Sequence, residues 1–274
     1  MRNFILLLIL LAAAPLFSQP FGGGLGTESS PYEIYTKAHL EELADSVNAG
    51  NDYFEKYFVQ KQDINEEVTK MIGNWIGLPG STIFRGNYNG QNYRINLNIE
   101  GKNNWGTGLF PVIANATLTN ITVTGKVKGI YAVGAIVGSN ISSTTPGYKE
   151  LPISVISQSV NYADVNGEDG VGGIIGSLNN NSIVNNCLNL GKIVGENFCT
   201  GGIVGCSGEV MGYQGPINIV ISNSKNANYI KGSDYTSGIV GHLILTYGVG
   251  THTVINCINT GVVIKGKGIA DTKP

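Results

Sequence analysis

Charge is scarce in this chain: Asp, Glu, Lys and Arg make up 13% of 274 residues, and 17 basic against 19 acidic side chains leave a formal net charge of −2. With so little basic excess there is no electrostatic case for binding nucleic acid or an anionic membrane. Histidine is scarcer still. His39, His242 and His252 form no His-Glu-x-x-His phrase, so a zinc-peptidase ligand set is missing. No Gly-x-Ser-x-Gly elbow, Walker loop or dinucleotide fingerprint occurs in a suitable context. The sequence therefore assigns no catalytic, cofactor-binding or metal-ligating residue, and the expectation is a protein that is not an enzyme.

Long apolar runs are also missing, with one exception. Arg2 is followed by an apolar stretch from Phe4 to Phe17 and then by small and polar residues. That run is shorter than the roughly 20 residues a spanning helix needs, and it reads as a secretory signal peptide over residues 1–18. Residues 19–30 read as a flexible leader. The expected localisation is secreted or cell surface, with no membrane span in the mature chain. What the sequence has in quantity is glycine, 39 residues without a three-residue period, and 42% hydrophobic residues, enough for a sizeable core. Collagen is excluded; a turn-rich β architecture fits.

The glycines fall in a phrase that returns four times, at 134–138, 172–176, 201–205 and 237–241, as in Gly201-Gly202-Ile203-Val204-Gly205. Upstream of each lies a second phrase, cleanest from Val184 to Gly195. Asn120, Gln158, Asn186 and Asn223 hold one equivalent position, 18, 18, 19 and 18 residues before the closing glycines. From each closing glycine to the next such position the distances are 20, 10, 18 and 15. A unit of nearly fixed length alternating with variable insertions is the signature of stacked coils with loops at one corner.

Within the fixed part, small or aliphatic residues recur at every second position, as in Cys187, Asn189, Gly191 and Ile193. That is a strand period; β-branched residues and glycines leave no room for a helical one. The glycines are expected to supply positive φ or close approach at corners. Asn161, Asn189, Asn226 and Asn259 share one inward position, where an amide ladder would satisfy backbone groups at the bend. Cys187 and Cys257 share another, two rungs and about 10 Å apart, too far for a disulfide. Cys199 and Cys206 flank one glycine phrase, and the sequence leaves open whether they are bonded.

The glycine phrase, the preceding Asn-x-Gly-x-Val-x-Gly, and Phe84-x-Gly86-x-Tyr88-x-Gly90 followed by Gly108-Leu109-Phe110 resemble the GLUG-motif repeat proteins. Pro111 departs from the pattern, standing where the first unit would close with glycine. The resemblance covers residues 80 to 266. It implies an exported or surface protein of bacteria, adhesin-like in context, of a kind sometimes attached to immunoglobulin A peptidases.

The expected fold is all-β: a right-handed parallel β-helix (solenoid) of about five to seven coils, handed by the crossover rule, with a short N-terminal helical cap. Residues 31–80 form the cap and first partial coil, and residues 81–274 the repeats. The cap helix runs from Thr36 to Gly50 with Leu40, Leu43, Ala44 and Val47 on one stripe. Strands are expected over Tyr57 to Ile64, and a turn at Pro79-Gly80. Asp169, Asn197 and Asp234 read as turn formers at corners, with a calcium-binding row as the alternative. Lys126, Asp164 and Lys192 fall at one outward position and should form a charge ladder. His242 and His252 are expected in one loop with Tyr247. Any binding is expected at the variable corner, through Tyr148, Tyr213 and Tyr247, to a glycan or a host or matrix protein. The C-terminal end, apparently uncapped, is expected to self-associate edge to edge or to belong to a longer protein. The rival function is a carbohydrate-active enzyme, a polysaccharide lyase or glycosidase, on the same fold.

Overall fold

A computed structural model describes residues 20–77, 80–141, 153–207, 217–243 and 250–265. The segment expected to be a signal peptide, Pro79, most of each variable loop with Tyr148, Tyr213 and Tyr247, and the end of the chain lie outside the described residues. The rest winds into three sheets whose named strands all pair in parallel, a β-helix-like stack. One rung shows the plan. Ser182–Asn185 lies on the first face, Leu188–Asn189 and Ile193–Gly201 on the second, and Val204–Ser207 on the third. The next rung repeats the path one strand spacing away, about 4.8 Å.

The corner between first and second face needs a left-handed residue, and asparagine or glutamine supplies it. Asn120, Gln158, Asn186, Asn223 and Asn256 have φ between 50° and 53°. Asparagine tolerates that region because its short side chain bonds locally. Of the two roles expected for the repeat glycines, Gly173, Gly202 and Gly238 take that of close approach. A Cβ on Gly202 would meet the Gly238 carbonyl and, at 2.6 Å, the side chain of Asn226 in the next rung. The second glycine of the phrase thus leaves room for the asparagine of the following unit, which locks the two phrases together.

Inside, like residues stack on like in register. Leu118, Ile156, Val184 and Ile221 form one column and Val127, Val165, Ile193 and Ile230 another, all at 0–1% exposure. Each such side chain contributes roughly 1.5–3 kcal/mol relative to exposure. Toward the N-terminus larger rings fill the coil: Phe58, Phe84, Phe110 and Tyr88 pack with centroids 4.9–5.9 Å apart.

The helix Lys37–Asn48 covers that end, buries Leu40, Leu43, Ala44 and Val47, and starts where the Thr36 hydroxyl accepts the His39 amide. Residues 20–30 correct the expectation of a flexible leader. Phe21 is buried among Tyr32, Tyr53 and Phe58, its N–H donates to the Glu42 carboxylate of the helix, and Gly22 N–H donates to Glu33 O. One aromatic in a glycine-rich stretch anchors it. The strand expected from Tyr57 to Ile64 is two strands, Tyr57–Gln60 and Ile64–Val68. The buried Gln60 amide turns the chain between them by donating to Gln62 O and Arg94 O. Pro111 sits in Phe110–Ile113, in register with the Val137–Asn140 strand that carries the glycine of the next unit.

Candidate functional site

At the first corner the inward asparagines are bonded to one another. Asn161 donates from Nδ2 to Asn189 Oδ1 at 2.8 Å, Asn189 to Asn226 at 2.7 Å, and Asn226 to Asn259 at 2.7 Å. Each also donates to the carbonyl two residues on: Asn161 to Ala163, Asn189 to Gly191, Asn226 to Asn228, Asn259 to Gly261. The expected ladder is present. Beside it runs the serine and cysteine row. Ser159, Cys187, Ser224 and Cys257 each donate to the carbonyl two residues back, and Ser224 Oγ accepts the Cys187 amide. Cys187 and Cys257 are free thiols with Ser224 between them. Burial pushes the Cys187 thiol up to about 12, so it stays protonated and unreactive.

A bend within the second face, just before its corner with the third, carries different chemistry. Here the left-handed positions are Ala132, Gly170, Cys199 and Tyr235, with φ from 41° to 64°. The residues just before them align as Tyr131, Asp169, Phe198 and Asp234. This register corrects the row of Asp169, Asn197 and Asp234. A bulge after Gly167 sets two residues, to Asp169, against three, from Gly195 to Phe198. Asn197 lies within this bulge and out of register with both aspartates, the added residue is the reason the third unit measures 19, and a phenyl ring stands where a calcium row would need an oxygen. Among the described residues no three His, Cys, Asp or Glu side chains converge on a metal-sized site.

Cys199 and Cys206 are bonded across this corner, with Cα atoms 5.5 Å apart. In the next rung Tyr235 follows the Asp234 that pairs with Phe198, and His242 pairs with Cys206. The two rings stack at 4.0 Å and 9° in the place of the disulfide. Phe198 meets Tyr235 edge-on at 4.8 Å. Trp105 continues the row one rung before Tyr131, because Thr107 bridges Val133. It packs against Trp75 with centroids 6.2 Å apart. Trp105, Tyr131, Phe198 and Tyr235 are 53%, 49%, 38% and 51% exposed.

The remaining candidates are dispersed. His242 and His252 lie on strands Val240–Leu243 and Gly250–Ile255 on two different faces, which corrects their placement in one loop, and His39 caps the helix by accepting the Tyr35 amide. Burial lowers the His252 imidazole below its ordinary value. Lys126, Asp164 and Lys192 are in register as expected, but the ions engage elsewhere. Asp164 accepts the Lys192 amide at 3.1 Å, and Lys192 Nζ lies over the Tyr229 ring at 5.5 Å. A shallow depression of about 350 Å³ on the first face is lined by Tyr57, Asn87, Asn89 and Thr117. The Asn89 amide there already accepts from Gln91 N and Asn120 Nδ2.

No known family's sequence profile matches the chain. It is 32% identical to halomucin of Haloquadratum walsbyi over 161 residues, 57% of this chain and 2% of halomucin. It is also 32% identical, over 145 residues, to a "Putative Gly-rich membrane protein" of Evansella cellulosilytica, 50% of this chain and 16% of that one. The chain thus corresponds to a small part of each relative. Among solved structures, a "putative immunoglobulin A1 protease" from Bacteroides ovatus matches with TM-score 0.59 and 18% identity, over 89% of this chain and 80% of that one. At that identity the likeness is one of fold, and this chain shares a β-helix-like architecture with that protein.

Proposed function

We propose that the chain is an exported, non-enzymatic scaffold, adhesin-like and displayed at the cell surface or secreted, built of GLUG-type repeats in a right-handed coil. The observation that carries this reading is the interior: the polar side chains at the first corner, Asn161, Asn189, Asn226 and Asn259, are engaged with each other and with their own turns. Groups so bonded hold a shape and are not available for proton transfer. The similarity to halomucin and to a glycine-rich membrane protein supports a surface setting, as does the apolar leader at 4–17. Among the described residues no helix is long and apolar enough to cross a membrane.

The test pairs immunodetection on intact cells and in the medium with turnover assays of the purified chain on polysaccharides and casein. We expect exported protein and no turnover. Product release that rises in proportion to chain concentration refutes the non-enzymatic reading, and retention inside the cell refutes the surface one.

A further inference from the structure

We propose that the corner row Trp105, Tyr131, Asp169, Phe198, Asp234 and Tyr235 is a binding ledge for an extended, uncharged polysaccharide, an assignment that rests on the surface-scaffold reading. Elsewhere the coil buries Phe58, Phe84, Phe110 and Tyr88, while Tyr93 and Tyr162 are exposed at 37% and 46% outside any such row. On this one corner four aromatic rings in five successive rungs stand 38–53% exposed. The rungs follow at about 4.8 Å, close to the length of one hexopyranose residue in an extended chain. Successive sugars therefore find a ring or a carboxylate at each step. Apolar C–H faces of pyranoses pack on aromatic faces, and a carboxylate accepts hydrogen bonds from paired hydroxyls.

Three of the four rings are held before any ligand arrives. Tyr235 is stacked on His242, Phe198 abuts Tyr235 and follows directly before the disulfide-bonded Cys199, and Trp105 packs on Trp75. Pre-organised rings lose little rotamer freedom on binding. Charge selects the ligand class. Glu168, Asp169, Glu196 and Asp234 lie in the corner segments and oppose a polyanion, and exposed Lys128 and Lys231, three residues before Tyr131 and Asp234, offset only half of that charge, so competition by polylysine is what separates attraction of a polycation from binding on the rings. A neutral, hydroxyl-rich chain meets no such repulsion and matches the exposed rings.

The test is retention of the purified exported chain on insoluble cellulose, chitin and cross-linked pectate, with circular dichroism to confirm folding of each variant. We expect saturable retention on cellulose or chitin and none on pectate. Tyr131→Ala and Trp105→Ala should each weaken it at least tenfold, and Asp169→Asn severalfold. Tyr162→Ala, which removes an equally exposed ring (46%) away from the corner, should leave it unchanged. No retention on either neutral glycan overturns the ledge, as does retention on pectate alone, retention competed by polylysine but not by soluble cello- or chito-oligosaccharides, or retention unaltered in the Trp105→Ala/Tyr131→Ala double variant. Failure of retention leaves the scaffold reading standing. Soluble sugar release beside ring-dependent retention keeps the ledge and refutes the non-enzymatic reading instead.

Discussion

Replacing Asn189 by alanine tests the ladder at its centre. The change removes four hydrogen bonds: to Asn226 Oδ1 at 2.7 Å, to Gly191 O at 3.0 Å, from Asn161 Nδ2 at 2.8 Å and from Gly191 N at 3.3 Å. At a net value of about 1 kcal/mol each, the loss is about 4 kcal/mol, because Asn161 and Asn226 are left with unpaired buried amide atoms. For a chain of this size that corresponds to roughly 8–16 °C in Tm. Asn259→Ala is the internal control. Its side chain is exposed in the last described rung, bonded to Gly261 and Asn226, so water replaces what is lost and the effect should be about 1 kcal/mol. Asn189→Asp should match or exceed the alanine variant, since a carboxylate cannot donate to Asn226 Oδ1. Guanidinium unfolding by circular dichroism gives the stability, and hydrogen exchange at the Gly191 amide shows whether opening is local, as a stack of rungs allows. If Asn189→Ala and Asn259→Ala are equal within about 1 kcal/mol, the ladder is not what holds the corner.

Gly202→Ala places a methyl against the Gly238 carbonyl and Asn226; it should destabilise by roughly 1–3 kcal/mol, the usual range for overpacking, and an unchanged denaturation midpoint would contradict the interlock. The buried Cys187 thiol, pushed up to about 12, is about one part in ten thousand thiolate at pH 8. Iodoacetamide followed by peptide mass mapping should therefore label Cys257 first and Cys187 only after unfolding; equal labelling in the native chain refutes the burial. The His252 imidazole is lowered by burial, so the unfolded chain binds its proton more readily than the folded one. Stability associated with neutral His252 is then present above the ordinary value near 6.5 and lost as pH falls below it. His252→Leu should flatten the fall in melting temperature between pH 7 and pH 5, and an identical pH profile would refute the assignment.

Much of the architecture is local, and local features are legible in a sequence. The strand period, the corner position shared by Asn120, Gln158, Asn186 and Asn223, the inward column of Asn161, Asn189, Asn226 and Asn259, and the Thr36 start of the helix all depend on spacing within one unit. Backbone sterics and strand alternation act over a few residues, so those spacings carry through to the coil unchanged. Which residues meet across rungs was decided by tertiary structure. One extra residue between Gly195 and Phe198 exchanged an oxygen row for the Phe198 ring, and the same register set the Tyr235 and His242 stack beside the Cys199–Cys206 bridge. Phe21 likewise shows no period that would reveal the ring pocket it enters. Contacts between rungs depend on the sum of every insertion and bulge between them, and a single added residue shifts which side chains face each other.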